Sequence, residues 1–112
     1  MSSLTFSEYQ ETSRQFAVYP NKGSNFTYPT LGLCGEAGEI SEKIKKVIRD
    51  NHGVVDDGTR QTLEKELGDQ LWYLGGLASE LGLDLGEIAE KNIDKLSGRQ
   101  QRGSLHGSGD DR

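Results

Sequence analysis

Apolar side chains recur every three to four positions along most of the chain, and nowhere do they alternate over a strand-length run. That period predicts four helices and no strand. The first spans about Phe6 to Phe16, with Thr5 or Ser7 as N-cap, and stops before the turn-rich Tyr19-Pro20-Asn21-Lys22-Gly23. The second begins near Pro29, a residue suited to a first helical turn, and continues to Arg49, where Asn51-His52-Gly53 closes it. The third starts near Thr59, after Asp56-Asp57-Gly58, and runs to about Leu81 with Gly82 as its stop. Asp84 caps the fourth, which carries Glu87 at N3 and ends between Leu96 and Arg99.

Wound at about 100° per residue, the second helix aligns Leu33, Ala37, Ile40, Ile44 and Ile48 as one apolar stripe. The third aligns Leu63, Leu67, Leu71, Leu74, Ala78 and Leu81, and the fourth Leu85, Ala89, Ile93 and Leu96. Polar groups flank each stripe instead of opposing it: Glu36, Glu39 and Lys43 on the second helix, Glu66 and Asp69 on the third, Asn92, Lys95 and Arg99 on the fourth. Such margins suit a pocket between helices. The third helix has another face, Trp72, Gly75, Gly76 and Ser79. Each glycine there costs about 1 kcal/mol relative to alanine, which a closely approaching helix would offset. That helix comes from this chain or from a second subunit, with Trp72 buried at the contact.

Two acidic pairs carry the candidate chemistry, Glu36-Ala37-Gly38-Glu39 and Glu66-Leu67-Gly68-Asp69. Residues i and i+3 share a helix face, so each pair projects two carboxylates one way. If the two helices pack antiparallel, four carboxylates meet and repel unless a cation sits among them. A solvated acidic surface would place them opposite the stripes, where they are not. Oxygen ligands without Cys or His suit a hard ion, Mg²⁺ with Mn²⁺ as substitute, and such a site suits phosphate chemistry. Neither His52 nor His106 completes an E-x-x-H element, which argues against a di-iron bundle, and Asp56-Asp57-Gly58 is too short for an EF-hand loop.

Composition narrows the setting. The 112 residues make one domain, and 32% hydrophobic content with mean hydropathy −0.69 is lean for a self-sufficient core, so a homodimer, or a tetramer built as a dimer of dimers, is expected. A net charge of −5 argues against nucleic acid or an anionic membrane as partner. No run reaches the roughly 18 apolar residues of a membrane span, the start Met1-Ser2-Ser3-Leu4-Thr5 lacks a signal-peptide pattern, and lone Cys34 fits a reducing compartment. The expected location is the cytoplasm.

Three segments taken together, Tyr28-Pro29-x-Leu31-Gly32-Leu33-x-Gly35-Glu36-Ala37-Gly38-Glu39, Lys65-Glu66-Leu67-Gly68-Asp69-x-Leu71-Trp72-Tyr73-Leu74 and Asn92-x-x-Lys95-Leu96, resemble the MazG-like nucleotide pyrophosphohydrolases. The resemblance covers essentially residues 6 to 112. It implies an all-α four-helix fold whose core is completed by oligomerisation. It also implies Mg²⁺-dependent hydrolysis of a nucleoside triphosphate, often a dNTP, to the monophosphate and pyrophosphate, by a metal-activated water. Glu36, Glu39, Glu66 and Asp69 match the family's metal ligands and are the catalytic candidates; Lys95 and Arg99 match positions that hold phosphate. One departure stands out: many relatives carry a further Glu directly before the first, where this chain has Gly35. A phosphoribosyl-ATP pyrophosphohydrolase shares the architecture, and a non-catalytic helical module that holds metal or a partner is the reading from another class.

Several further residues have two readings. Lys95 and Arg99, at i and i+4 near a helix end, complement the helix dipole as well as contacting phosphate. Asn92 is one turn earlier and can reach a phosphate. Lys43 follows Glu39 by four residues and either pairs with it or contacts substrate. Arg102 is a further candidate for the substrate. Residues 1–100 form the expected domain and 101–112 a flexible polar tail. Its Arg102, His106, Ser108, Asp110 and Arg112 are able to fold over a nucleotide. Base-reading candidates are Tyr9, Gln10 and Arg14, the Asn25-Phe26-Thr27-Tyr28 loop and the tail.

Overall fold

Thr5 accepts a hydrogen bond from the Glu8 amide at 3.0 Å, and the Glu8 carboxylate accepts one from the Thr5 amide. This reciprocal cap starts α1, Phe6–Arg14. The structure is a computed structural model that describes residues 3–110. Three further helices follow: α2, Thr27–Asp50; α3, Asp57–Glu80; and α4, Leu85–Arg102. Among the described residues there is no strand, and no helix is long and apolar enough to cross a membrane.

Helix α1 ends at Arg14, two residues short of the expected Phe16. Three further boundaries differ from the sequence expectation, each for a local reason. The Asn25 side chain accepts the Tyr28 amide at 3.1 Å, so α2 begins ahead of Pro29. Asp56 caps Thr59 at 2.8 Å, which draws Asp57 and Gly58 into the first turn of α3. Helix α4 runs beyond Arg99 until Gly103 adopts φ 71° and ends it, so a boundary at residue 100 falls inside its last turn. Asp84 and Glu87 act at its start as expected, at 3.0 Å. Residue Arg112 of the tail, like Met1, Ser2 and Asp111, lies outside the described residues.

The closest partners are α2 and α3, an antiparallel hairpin, while α1 packs on both α3 and α4. The packed faces correct the expected stripes. On α2 the covered positions are Pro29, Gly32, Leu33, Glu36, Ile40, Lys43 and Val47; on α3 the seam positions are Thr59, Leu63, Glu66, Gln70, Tyr73 and Leu77. Gly32 apart, both sets step by alternating fours and threes, the seam of two helices packed at a shallow angle. Ala37, Ile44 and Ile48 of α2 and Leu67, Leu74 and Leu81 at or near α3 are exposed instead. Glu36, Lys43 and Glu66 are therefore members of the seam and not its margin. The apolar positions outnumber what a single hairpin can cover: of the expected α3 stripe, Leu63, Leu71 and Ala78 are covered, whereas Leu67, Leu74 and Leu81 face outward.

The second face of α3 meets α1 of the same chain. Trp72 donates its indole N–H to the Ser13 carbonyl at 3.1 Å, and Gln10 donates to Ser79 Oγ at 3.0 Å. A Cβ on Gly76 would sit 3.6 Å from Pro29 and one on Gly75 3.9 Å from Tyr9 and Leu85, which is ordinary contact. Ala17, Pro29, Val47, Ala78 and Leu85 are the buried apolar residues among those described.

Candidate active site

Facing turns of α2 and α3 bring Glu36, Glu39 and Glu66 together, with one oxygen from each within 4.8 Å of the others. Lys43, two turns after Glu36, crosses the seam to Glu66 at 3.1 Å. Its partner within the chain is thus Glu66 and not Glu39. Glu36 is pushed up to about 7, chiefly because it shares a hydrogen bond with Glu66, then by burial and the charges of Glu39, Asp69 and Glu66. Glu66 is lowered, first by the hydrogen bond that protonated Glu36 donates, then by Lys43 and Glu39. The two carboxyls therefore titrate together, Glu36 upward and Glu66 downward.

Asp69 does not join this group of three. Its side chain is one methylene shorter, and it stands exposed one turn along α3. Its charge still reaches the site: burial first and then Asp69 raise the pKa of Tyr9, and the same charge adds to the rise at Glu36.

Two buried oxygens, Glu36 Oε2 and Glu66 Oε2, have no hydrogen-bond partner among the described residues. Unsatisfied buried carboxylate oxygens cost stability unless something cationic reaches them. With an all-oxygen donor set and no His or Cys beside it, the group fits a hard divalent cation.

The basic candidates lie elsewhere in the chain. Lys95 and Arg99 are on α4, which packs on α1, and their ion pairs run to Asp110 of the tail at 3.4 Å and not to the acids. Asn92 and Lys95 share a groove of about 360 Å³ with Leu83, Asp84 and Ile88. Arg102 lies back over Gly98, where a Cβ would meet its Nη1 at 2.9 Å.

Of the base-reading candidates, Gln10 and Arg14 are committed to the fold. The Gln10 amide donates to Ser79 and to the Leu83 carbonyl at 2.9 Å, and its carbonyl accepts the Leu85 amide at 2.7 Å. Arg14 pairs with Glu80, which sequence reasoning passed over. The Glu80 side chain is fully buried and accepts from Tyr19, from the Gly23 amide at 2.8 Å and from the Asn25 amide at 2.6 Å. Those donors pull it down to about 2, the Tyr19 hydroxyl contributing most. Glu80 thereby fixes the loop between α1 and α2, and Tyr19 stacks on Tyr28 with ring centroids 4.6 Å apart. Nothing local in the sequence marks this hub, because its partners are distant in the chain. Tyr9 and Tyr28 stay partly exposed.

Four helices, a carboxylate cluster on a helical hairpin and no strand among the described residues define an all-α protein with an acidic site between two helices. A family model for the MazG nucleotide pyrophosphohydrolase domain matches residues 26–103, and the chain belongs to that family. It is also similar to Gene 37 protein of Mycobacterium phage L5, with 42% identity over 109 residues, 93% of this chain and 96% of that protein. No solved structure matches it.

Proposed function

We propose that this chain hydrolyses nucleoside triphosphates, dNTPs among them, between the α and β phosphates, releasing the monophosphate and pyrophosphate. The observation that carries this reading is the convergence of Glu36, Glu39 and Glu66 with two buried oxygens left unpartnered. These three are the ligands proposed for Mg²⁺ or Mn²⁺, with Asp69 completing the set. The ion, when bound, supplies positive charge to the phosphate oxygens and acidifies a water. The chain's residues then position and balance charge, which is most of what phosphoryl transfer requires. Lys43 holds Glu66 in place, and Lys95 and Arg99, with Asn92 and Arg102 near them on α4, bind the phosphates.

Acids and cations sit on different helices, and α4 packs mainly on α1. The exposed Leu67, Leu74 and Leu81 along α3 and Ile44 and Ile48 of α2 support assembly into a homodimer or a dimer of dimers. Such an assembly is the proposed way for the two groups to meet. The exposed free thiol of Cys34 supports a reducing, cytoplasmic setting.

Chromatography of the products from a panel of dNTPs, NTPs and phosphoribosyl-ATP tests the proposal. Monophosphate plus pyrophosphate is expected with a dNTP, and Glu66→Gln is expected to abolish it. Diphosphate plus orthophosphate as the products would refute the bond assignment. Complete inactivity alongside a metal-dependent rise in melting temperature would make the chain a binding module.

A further inference from the structure

The C-terminal tail turns back on α4. Gly103 takes φ 71°, the Ser104 amide donates to the Arg99 carbonyl at 2.8 Å, and the following residues bring Gly109 and Asp110 beside Lys95 and Arg99. Arg99 Nη2 donates to the Asp110 carbonyl at 2.9 Å, to the Gly109 carbonyl at 3.3 Å and to Asp110 Oδ1 at 3.4 Å. Lys95 Nζ approaches the same Oδ1 at 3.4 Å. A single carboxylate oxygen is thus held between two cations one helical turn apart. A phosphate oxygen presents the same charge and acceptor geometry to such a pair.

The two sides of this contact are unequal. Arg99 is only 5% exposed, and its buried Nε has no partner among the described residues. The clasp is therefore built into the fold and has a donor to spare. The Asp110 side chain is 88% exposed and reaches the clasp from solvent on a short glycine-bearing tether. Lys95, and then Arg99, keep its carboxyl below the ordinary range, so it is ionised at neutral pH. A built cationic seat with a replaceable anion is the arrangement of an internal competitor.

We propose that Asp110 is a tethered stand-in for phosphate, which occupies the Lys95–Arg99 clasp and which the phosphate chain of an incoming nucleotide must displace. The inference rests on the nucleotide reading above and adds a role for the tail: it weakens binding instead of closing over the ligand. Tethering gives the carboxylate a high local concentration, so the contact forms without great intrinsic strength. Apparent affinity falls by the fraction of clasps left open. For an ion pair whose carboxylate is exposed and which is aided by carbonyl contacts to Arg99, that is about a three- to tenfold effect. A polyphosphate carries several charges against one and wins when present.

The test is calorimetric titration of inorganic tripolyphosphate into the full-length protein in chelator, free of divalent ions. Wild type, Asp110→Asn, Asp110→Ala and the double variant Lys95→Met/Asp110→Asn are compared. Both single variants should bind about three- to tenfold more tightly than wild type, as expected for an opened clasp. Adding Lys95→Met should remove that gain. Equal affinity of wild type and both single variants overturns the proposal, as does a gain that survives Lys95→Met, or no binding to any of the four. Hydrolysis is not read here, so failure of the enzymatic reading appears separately as absence of product from every nucleotide.

Discussion

Gly32 and Gly35 stand one turn apart on α2, and the structure separates them sharply. A Cβ on Gly32 would lie 2.6 Å from Tyr73 Cγ and closer still to the Cδ1–Cε1 edge of that ring, whereas one on Gly35 meets nothing within 4 Å. Glycine to alanine inside a helix gains about 1 kcal/mol at either position, so the propensity term cancels when the two variants are compared. What remains is the overpacking of the added methyl group against Tyr73. Forcing a methyl into a packed seam costs about 1–3 kcal/mol, and a conflict with three atoms of a half-buried ring belongs in the upper part of that range. For a domain of this size about 2–3 kcal/mol corresponds to a gap of about 8–12 °C in melting temperature. Thermal unfolding followed by circular dichroism, at equal protein concentrations, should place Gly35→Ala above wild type and Gly32→Ala well below Gly35→Ala. Displacing α2 one turn before Glu36 should also reduce the rise in melting temperature that added Mg²⁺ produces. Coincident melts for the two variants would refute the packing of Tyr73 on Gly32, and with it the register that brings Glu36 to Glu66.

Glu80 should govern acid stability: its carboxyl titrates at about 2 in the fold against an ordinary 4.5. Because the folded value is the lower one, the contribution is complete above the ordinary value and disappears as pH falls toward 2. Denaturant melts of Glu80→Gln across this range should show a flatter pH dependence than wild type and lower stability at neutral pH; parallel curves would contradict the hub. Lys43→Met removes the cation that crosses the seam to Glu66, so the metal-free variant should melt lower than wild type, and Mg²⁺ should raise its melting temperature by more. An unchanged increment on adding Mg²⁺ would show that Lys43 does not balance the site.

Features set by neighbouring residues were legible in the sequence. Thr5 and Asp84 cap because a hydroxyl or carboxylate three residues from a free amide suffices, wherever the rest of the chain lies. The acidic pairs were legible for the same reason, since i and i+3 fix a common face. The choice of packed face was not. Hydrophobic periodicity singles out the most apolar stripe, yet the hairpin seam contains Gly32, Glu36, Lys43, Glu66 and Gln70, while Leu67, Leu74 and Leu81 face outward. A carboxyl and a lysine in a seam satisfy one another only across two helices, and no local pattern encodes that. Glu80 stayed hidden because its value depends on Tyr19, Gly23 and Asn25, and the distance of Asp69 from the group of three is set by the reach of its shorter side chain, which spacing does not register.

The most direct measurement of the central claim joins metal and product in one assay. Purified protein, stripped with chelator, is given a dNTP with and without Mg²⁺, and the nucleotide and phosphate products are separated over time, beside Glu66→Gln. The account predicts monophosphate and pyrophosphate in equal amounts, formed only with the divalent ion and lost in the variant. Wild-type rates from Glu66→Gln, or full activity in chelator, would contradict the assignment of the Glu36–Glu39–Glu66 cluster as the reacting site.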